Sequence, residues 1–224
     1  MSGLGPEVEA FVSPERLALA ESVRYLIDAV LTTEAAPPDA LSRAAIATDE
    51  ITAALVGDPT LARGTRTRTE SEHTDYLPRS PFVGVANPVA VPFTSEFRDG
   101  RLFAEGTFHA AYEGPPGYVH GGWIALAFDE ILGMANINSG HPAMTGKLTV
   151  RYRRPTPLHT SVLLEAWTDR VDGNRVITRG TMTADDTVTA EAEGLFVKIG
   201  PERAMEYFGR VREPRVDESP DPLP

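Results

Sequence analysis

The sequence predicts an α+β protein, with one long apolar helix followed by a run of antiparallel strands. Three observations carry that prediction. The stretch "GYVHGGWIALAFDEILGM", residues 117–134, is apolar on almost every side of a helix, the pattern of a helix lying inside a protein. Four strand-like runs follow it, joined by short turn signals. Ahead of both, residues 13–57 read as a pair of helices. An antiparallel sheet with one face to cover can wrap round a single helix.

In chain order, Ser13 followed by Pro14 has the form of an N-cap with proline at the first helical position. Leu17, Ala20, Val23, Ile27, Val30 and Leu31 then recur at helical spacing. "TTEAAPPDAL" interrupts this helix, and "DALSRAAIATDEITAALVGDP" supplies a second, ended by Gly57 and Pro59. From Ala62 to Arg79 the chain turns polar and charged, as suits a linker. "LFAEGTFHAAY" alternates like a strand, and the turn-rich "EGPPG" leads into the apolar helix, which ends near Asn138-Ser139-Gly140. The strands after it are "AMTGKLTVRYRR", "SVLLEAWTDRV", "RVITRGTMTA" and "VTAEAEGLFVKI", with "DGN" and "ADD" joining the last three. The expected division is a helical extension over 1–61, a linker over 62–79, the helix-and-sheet domain over 80–200, and a disordered Pro-rich tail over 201–224.

Composition narrows the function. The chain of 224 residues has no cysteine, which removes disulfides, Cys-based metal sites and Cys nucleophiles. No apolar run is long enough to span a membrane, and the N-terminal stretch lacks the order of a signal peptide. A soluble cytoplasmic protein is the expectation. The formal charge of −11 opposes sequence-independent nucleic-acid binding. It also opposes reading the helical pair as a helix-turn-helix, as does the Pro-Pro between the two helices.

Asp129 stands in the middle of the apolar helix, and an unpaired buried carboxylate there would cost several kcal/mol. On the helix alone, a structural aspartate bonded to a buried donor explains it as well as a reactive one does. The helix start tips the balance. His120 precedes Gly121 and Gly122, where the first turn leaves backbone N–H groups without intrahelical partners. Two glycines keep side chains away from those donors, so a ligand oxygen can approach. Donors aimed at an oxygen that becomes negative form an oxyanion hole, and a carboxylate can act as base or nucleophile beside it. Asp129, however, lies about 12 Å along the helix axis from Gly121, whereas a reacting carbonyl must touch both groups at roughly 3 Å. If both groups serve one reaction, they must come from different copies of the chain, paired across a two-fold with two equivalent sites.

"EGPPGYVHGGWIALAFDEILG" followed by "MTGKLTVRYRRPTPL" resembles the hotdog-fold acyl-CoA thioesterases, in particular the PaaI-like group. The resemblance covers about residues 80–200 and implies a hotdog fold, a sheet wrapped round the central helix. It implies hydrolysis of an acyl-CoA to free acid and CoA, without a metal or redox cofactor, by a homodimer or a dimer of dimers. Matched residue by residue, it places the nucleophile or base on Asp129 and the carbonyl-polarising amide on Gly121. His120 falls beside the oxyanion site, and Thr145 falls where a Ser or Thr helps position water. Some family members carry an Asn six positions before the histidine, and this chain has Gly114 there. A second oxyanion donor is then missing or comes from elsewhere.

Each assignment has a plainer counterpart. His120 can simply close the helix start, and Thr145 can be a strand residue like its neighbours. Glu130, rotated about 100° from Asp129, is expected to face solvent or a polar neighbour. Lys147, Arg151, Arg153 and Arg154 make a basic strand in an acidic protein, and alternation puts the first three on one face. Solvated strand charge is the ordinary reading of such residues, and binding of coenzyme A phosphates is the functional one. The substrate-binding candidates are Gly122, Arg153 and Arg154. The rival functions are a non-catalytic acyl-CoA-binding or regulatory module, which would not need Asp129, and a hotdog hydratase, whose Asp/His motif is not found in this chain.

Overall fold

The computed structural model describes residues 12–33, 35–57, 79–91 and 93–200. Two helices come first, α1 (Pro14–Thr32) and α2 (Pro38–Gly57), then strands β1 (Thr94–Arg98) and β2 (Arg101–Thr107). Helix α3 (Gly121–Asn138) precedes β3 (Met144–Tyr152), β4 (Ser161–Asp172), β5 (Arg175–Ala184) and β6 (Thr187–Val197). Among the described residues the strands form one sheet in the order β1-β2-β4-β5-β6-β3, antiparallel at every pairing. This is the α+β arrangement expected from the sequence. Most of the expected linker and all of the expected tail lie outside the described residues.

Helix α3 packs on the sheet through Ile124, Ala127, Phe128, Ile131, Leu132 and Ala135, all buried. Their spacing makes a continuous face at helical period, and each large apolar side chain so buried contributes roughly 1.5–3 kcal/mol. The close approach depends on two glycines in the strands beneath. A Cβ on Gly180 of β5 would lie 2.8 Å from the Glu165 carbonyl oxygen and 3.1 Å from Leu132. A Cβ on Gly194 of β6 would lie 3.2 Å from Leu132 and closer still to the ring of Phe196.

The hairpins are built on residues that tolerate positive φ. Gly173 (φ 58) opens the two-residue turn between β4 and β5, and Asp185 and Asp186 (φ 46 and 56) form the one between β5 and β6. A third hairpin, Asp99-Gly100 (φ 51 and 75), joins β1 to β2. One expectation is corrected: "LFAEGTFHAAY" is not a strand throughout. β2 ends at Thr107, and Ala110–Tyr112 close into a 3-10 turn. Tyr112 is buried there, its hydroxyl donating to the Val89 carbonyl at 3.2 Å. Burial pushes that hydroxyl up to about 12, against the nearby Arg24 cation, which lowers it.

Ser13 caps α1 as expected, its Oγ accepting from the Arg16 amide at 3.3 Å. The helix is held by Arg24, which donates to the carbonyls of Val85, Asn87 and Ala90. Asp28 accepts from the Ala110 amide. The loop that Arg24 grips sends Phe82, Val83, Val91 and Phe93 into the core under the sheet. Contacts therefore group α1 with the sheet, while α2 belongs to a second unit. No helix among the described residues is long and apolar enough to cross a membrane.

Candidate active site

At the start of α3, His120 is the N-cap, and its Nδ1 accepts the Gly122 amide at 3.0 Å. An accepting Nδ1 leaves the ring proton of the neutral imidazole on Nε2. A Cβ on Gly122 would sit 3.0 Å from that nitrogen, so a larger residue there would have to displace the His120 ring. The Trp123 and Ile124 amides both donate to the His120 carbonyl. Of the first-turn donors, the Gly121 N–H alone takes no partner among the described residues. The structure thus sorts the pair that the sequence offered together. Gly122 has its N–H committed to closing the helix, and Gly121 presents the open donor.

Gly121 borders a cavity of about 390 Å³ walled by Tyr118, Ile124, Tyr152, Arg153 and Arg154, among others. Of the basic residues on β3 and beyond it, the two substrate-binding candidates, Arg153 and Arg154, reach this wall; Lys147 and Arg151 do not line it. Leu148 and Val150 pack against the core, which leaves Lys147 and Arg151 on the outer face that alternation predicts. Arg153 also pairs with Glu191 at 2.7 Å. That hydrogen bond holds the Glu191 carboxyl below its ordinary range. Arg154 makes no ion pair among the described residues.

Gly114 lies close beneath His120: a Cβ there would come within 2.7 Å of the His120 Cα. An asparagine has no room at this position, so the absence of that second donor is a consequence of the local packing.

Asp129 is only half-buried, and Thr145 Oγ1 donates to its Oδ1 at 2.7 Å. The sequence paired these two residues only through the family resemblance, and the structure brings them into contact across α3 and β3. The stripe of α3 that carries Asp129 is not covered by the described residues. Gly122 and Ile137 are exposed, while Ala125, Leu126 and Gly133 are half-buried. An aspartate in an apolar helix is tolerable because it lies on this open stripe and is hydrogen-bonded. Neither Asp129 nor Thr145 is among the cavity-lining residues at the Gly121 end.

Glu130 finds the polar neighbour expected for it. Fully buried Ser80 donates to its carboxylate at 3.1 Å while accepting from the Phe82 and Val83 amides. Burial raises the Glu130 carboxyl above its ordinary value; the Ser80 bond opposes this and the Asp129 charge adds to it. The folded chain therefore holds this proton more tightly than the unfolded chain, and stability falls as pH rises through the interval above the ordinary carboxylate value. Glu130→Gln, which can still accept from Ser80, should match the wild-type melting temperature near about pH 4 and exceed it near about pH 7. An equal melting temperature at both values would show that Glu130 is not strained in its charged form.

An antiparallel sheet packed on one central apolar helix is the hotdog class of fold. Residues 116–191 match the thioesterase superfamily. A thioesterase superfamily protein of known structure is 33% identical, with a TM-score of 0.72 over 82% of this chain and 90% of that one. The chain belongs to the thioesterase superfamily. It is also similar to the acyl-coenzyme A thioesterase THEM4 of Mus musculus, 31% identical over 132 residues, 52% of this chain and 57% of the mouse protein. The Xenopus laevis THEM4 is 34% identical over 102 residues, 45% of each chain. The chain spans about half the length of these curated relatives.

Proposed function

We propose that this protein is an acyl-CoA thioesterase that works as a homodimer, or a dimer of dimers, with sites shared between subunits. The observation that carries the reading is the pairing of one open amide, Gly121 N–H, with a Thr145-held carboxylate, Asp129, on the same helix. The thioester carbonyl oxygen accepts from Gly121 of one subunit, and Asp129 of the other faces the carbonyl carbon. Asp129 attacks directly or takes a proton from the attacking water, which Thr145 helps to place. The C–S bond breaks, the thiolate leaves as CoA and takes up a proton, and water supplies the acid's new oxygen. Arg153 and Arg154 line the cavity that Gly121 borders, which supports reading them as the groups that grip coenzyme A phosphates.

The uncovered α3 stripe and the free edge of β3 support the pairing of two copies. Ile137 on α3 is 60% exposed and Met144, next to Thr145 on β3, is 45% exposed. A PaaI-like relationship, a cytoplasmic location, and the division into a 1–61 extension and an 80–200 catalytic domain belong to the same proposal.

A thiol-release screen across short, long and aromatic acyl-CoAs tests the activity. Release that depends on Asp129 is expected, whereas binding without release would favour a regulatory module. In the same assay, Gly121→Val should lose roughly the 10²–10³-fold that follows loss of an oxyanion donor. A Cβ there would meet the half-exposed Tyr152 ring at 3.4 Å, and the γ-methyls of valine would push that ring aside, so a thermal melt accompanies the assay. Wild-type turnover by Gly121→Val would remove the carbonyl from this helix end.

A further inference from the structure

Tyr152 ends β3 against the first turn of α3, and none of the roles assigned so far uses it. Its hydroxyl donates to the Gly121 carbonyl at 2.8 Å. Its ring lies over the same residue, with Cε1, Cζ and the hydroxyl oxygen each 3.4 Å from where a Gly121 Cβ would be. The ring also walls the cavity beside Arg153 and Arg154, and the residue is 53% exposed. A side chain half in solvent is a weak contributor to the core, so its fixed contact with one glycine calls for another explanation.

Glycine is the residue least able to hold its own backbone orientation. Gly121 carries the open amide and lines the cavity, and the side-chain donor that some family members carry is sterically barred at Gly114. A lone donor stabilises a developing oxyanion only if it is already aimed when charge appears. The Gly121 carbonyl and the Gly122 amide are the two ends of one peptide plane, bonded by Tyr152 at its oxygen and by His120 Nδ1 at its nitrogen, and fixing that plane anchors the Gly121 Cα from which the open N–H projects. We infer that Tyr152 is a positioning residue for the oxyanion donor, holding Gly121 so that its N–H points into the cavity. This rests on the thioesterase reading for its chemistry and goes beyond it in assigning the residue that preorganises the donor.

Tyr152→Phe tests it, since the ring and the strand remain and only the hydroxyl is lost. With the best acyl-CoA of the screen, kcat should fall about tenfold with KM and melting temperature held, the pattern of an interaction that matters only in the transition state. Combined with Gly121→Ala, the loss should be smaller than the product of the two single losses, because both changes act on one donor. An unchanged kcat, a loss confined to KM, a loss matched by a falling melting temperature, or simple multiplicativity would each overturn the assignment. The thioesterase reading fails separately, if the wild-type protein releases no thiol from any acyl-CoA. The pinning is then read from amide hydrogen exchange in the absence of ligand. The Gly122 amide, which is bonded to His120 Nδ1, should exchange faster in Tyr152→Phe, and unchanged exchange there would sink the proposal.

Discussion

Asp129→Asn should lose at least two orders of magnitude in turnover while the protein stays folded. Asparagine has nearly the same volume, and its side-chain oxygen can still accept from Thr145 Oγ1 as Oδ1 does at 2.7 Å. The half-buried setting on the open stripe of α3 means that removing the charge creates no cavity and leaves no buried donor unpaired. What disappears is chemical, because a neutral amide neither attacks a thioester nor accepts a proton from water. General base catalysis alone is worth roughly 10²–10⁴ in rate, and loss of a nucleophile costs at least as much. The measurement is steady-state thiol release beside a thermal melt. A folded Asp129→Asn protein with wild-type turnover would move the chemistry to another residue.

The fold was legible where periodicity and turn chemistry were strong. Helix α3 and strands β3 to β6 follow from an apolar run and alternating segments, punctuated by Gly173-Asn174 and Asp185-Asp186. β1 escaped notice because its five residues are mostly exposed and show no apolar alternation, although Asp99-Gly100 was a readable hairpin signal. The loop carrying Phe82, Val83, Val91 and Phe93 is irregular, so no period marks it as part of the core. Of the site, the helix-start glycines and Asp129 were legible from local pattern, and Thr145 from the family motif. The contacts of Ser80 with Glu130 and of Tyr152 with Gly121 join residues 50 and 31 positions apart. Pairings of that range are set by tertiary packing, which a single sequence does not display.

Mixing Gly121→Val chains with Asp129→Asn chains should restore activity that neither possesses alone. Gly121 and Asp129 are separated by eight helical positions, about 12 Å along α3, and the cavity at the Gly121 end contains neither Asp129 nor Thr145 in its wall. One carbonyl can then reach both groups only across two subunits. In each parent homodimer both sites carry a lesion, so both parents should be nearly inactive. In a heterodimer, Gly121 of the Asp129→Asn chain meets Asp129 of the Gly121→Val chain, and that site is wild type at both positions. The second site carries both lesions. Each heterodimer should therefore reach about half the wild-type activity. A statistical one-to-one mixture, half of it heterodimer, should reach about a quarter. Subunit exchange is followed independently with two differently tagged chains, recovered together after co-incubation or co-expression. If tagged heterodimers form and thiol release stays at the level of the parents, Gly121 and Asp129 do not share a site across subunits. Restoration that scales with the heterodimer fraction would show that each helix supplies its glycine to one reaction and its aspartate to the other.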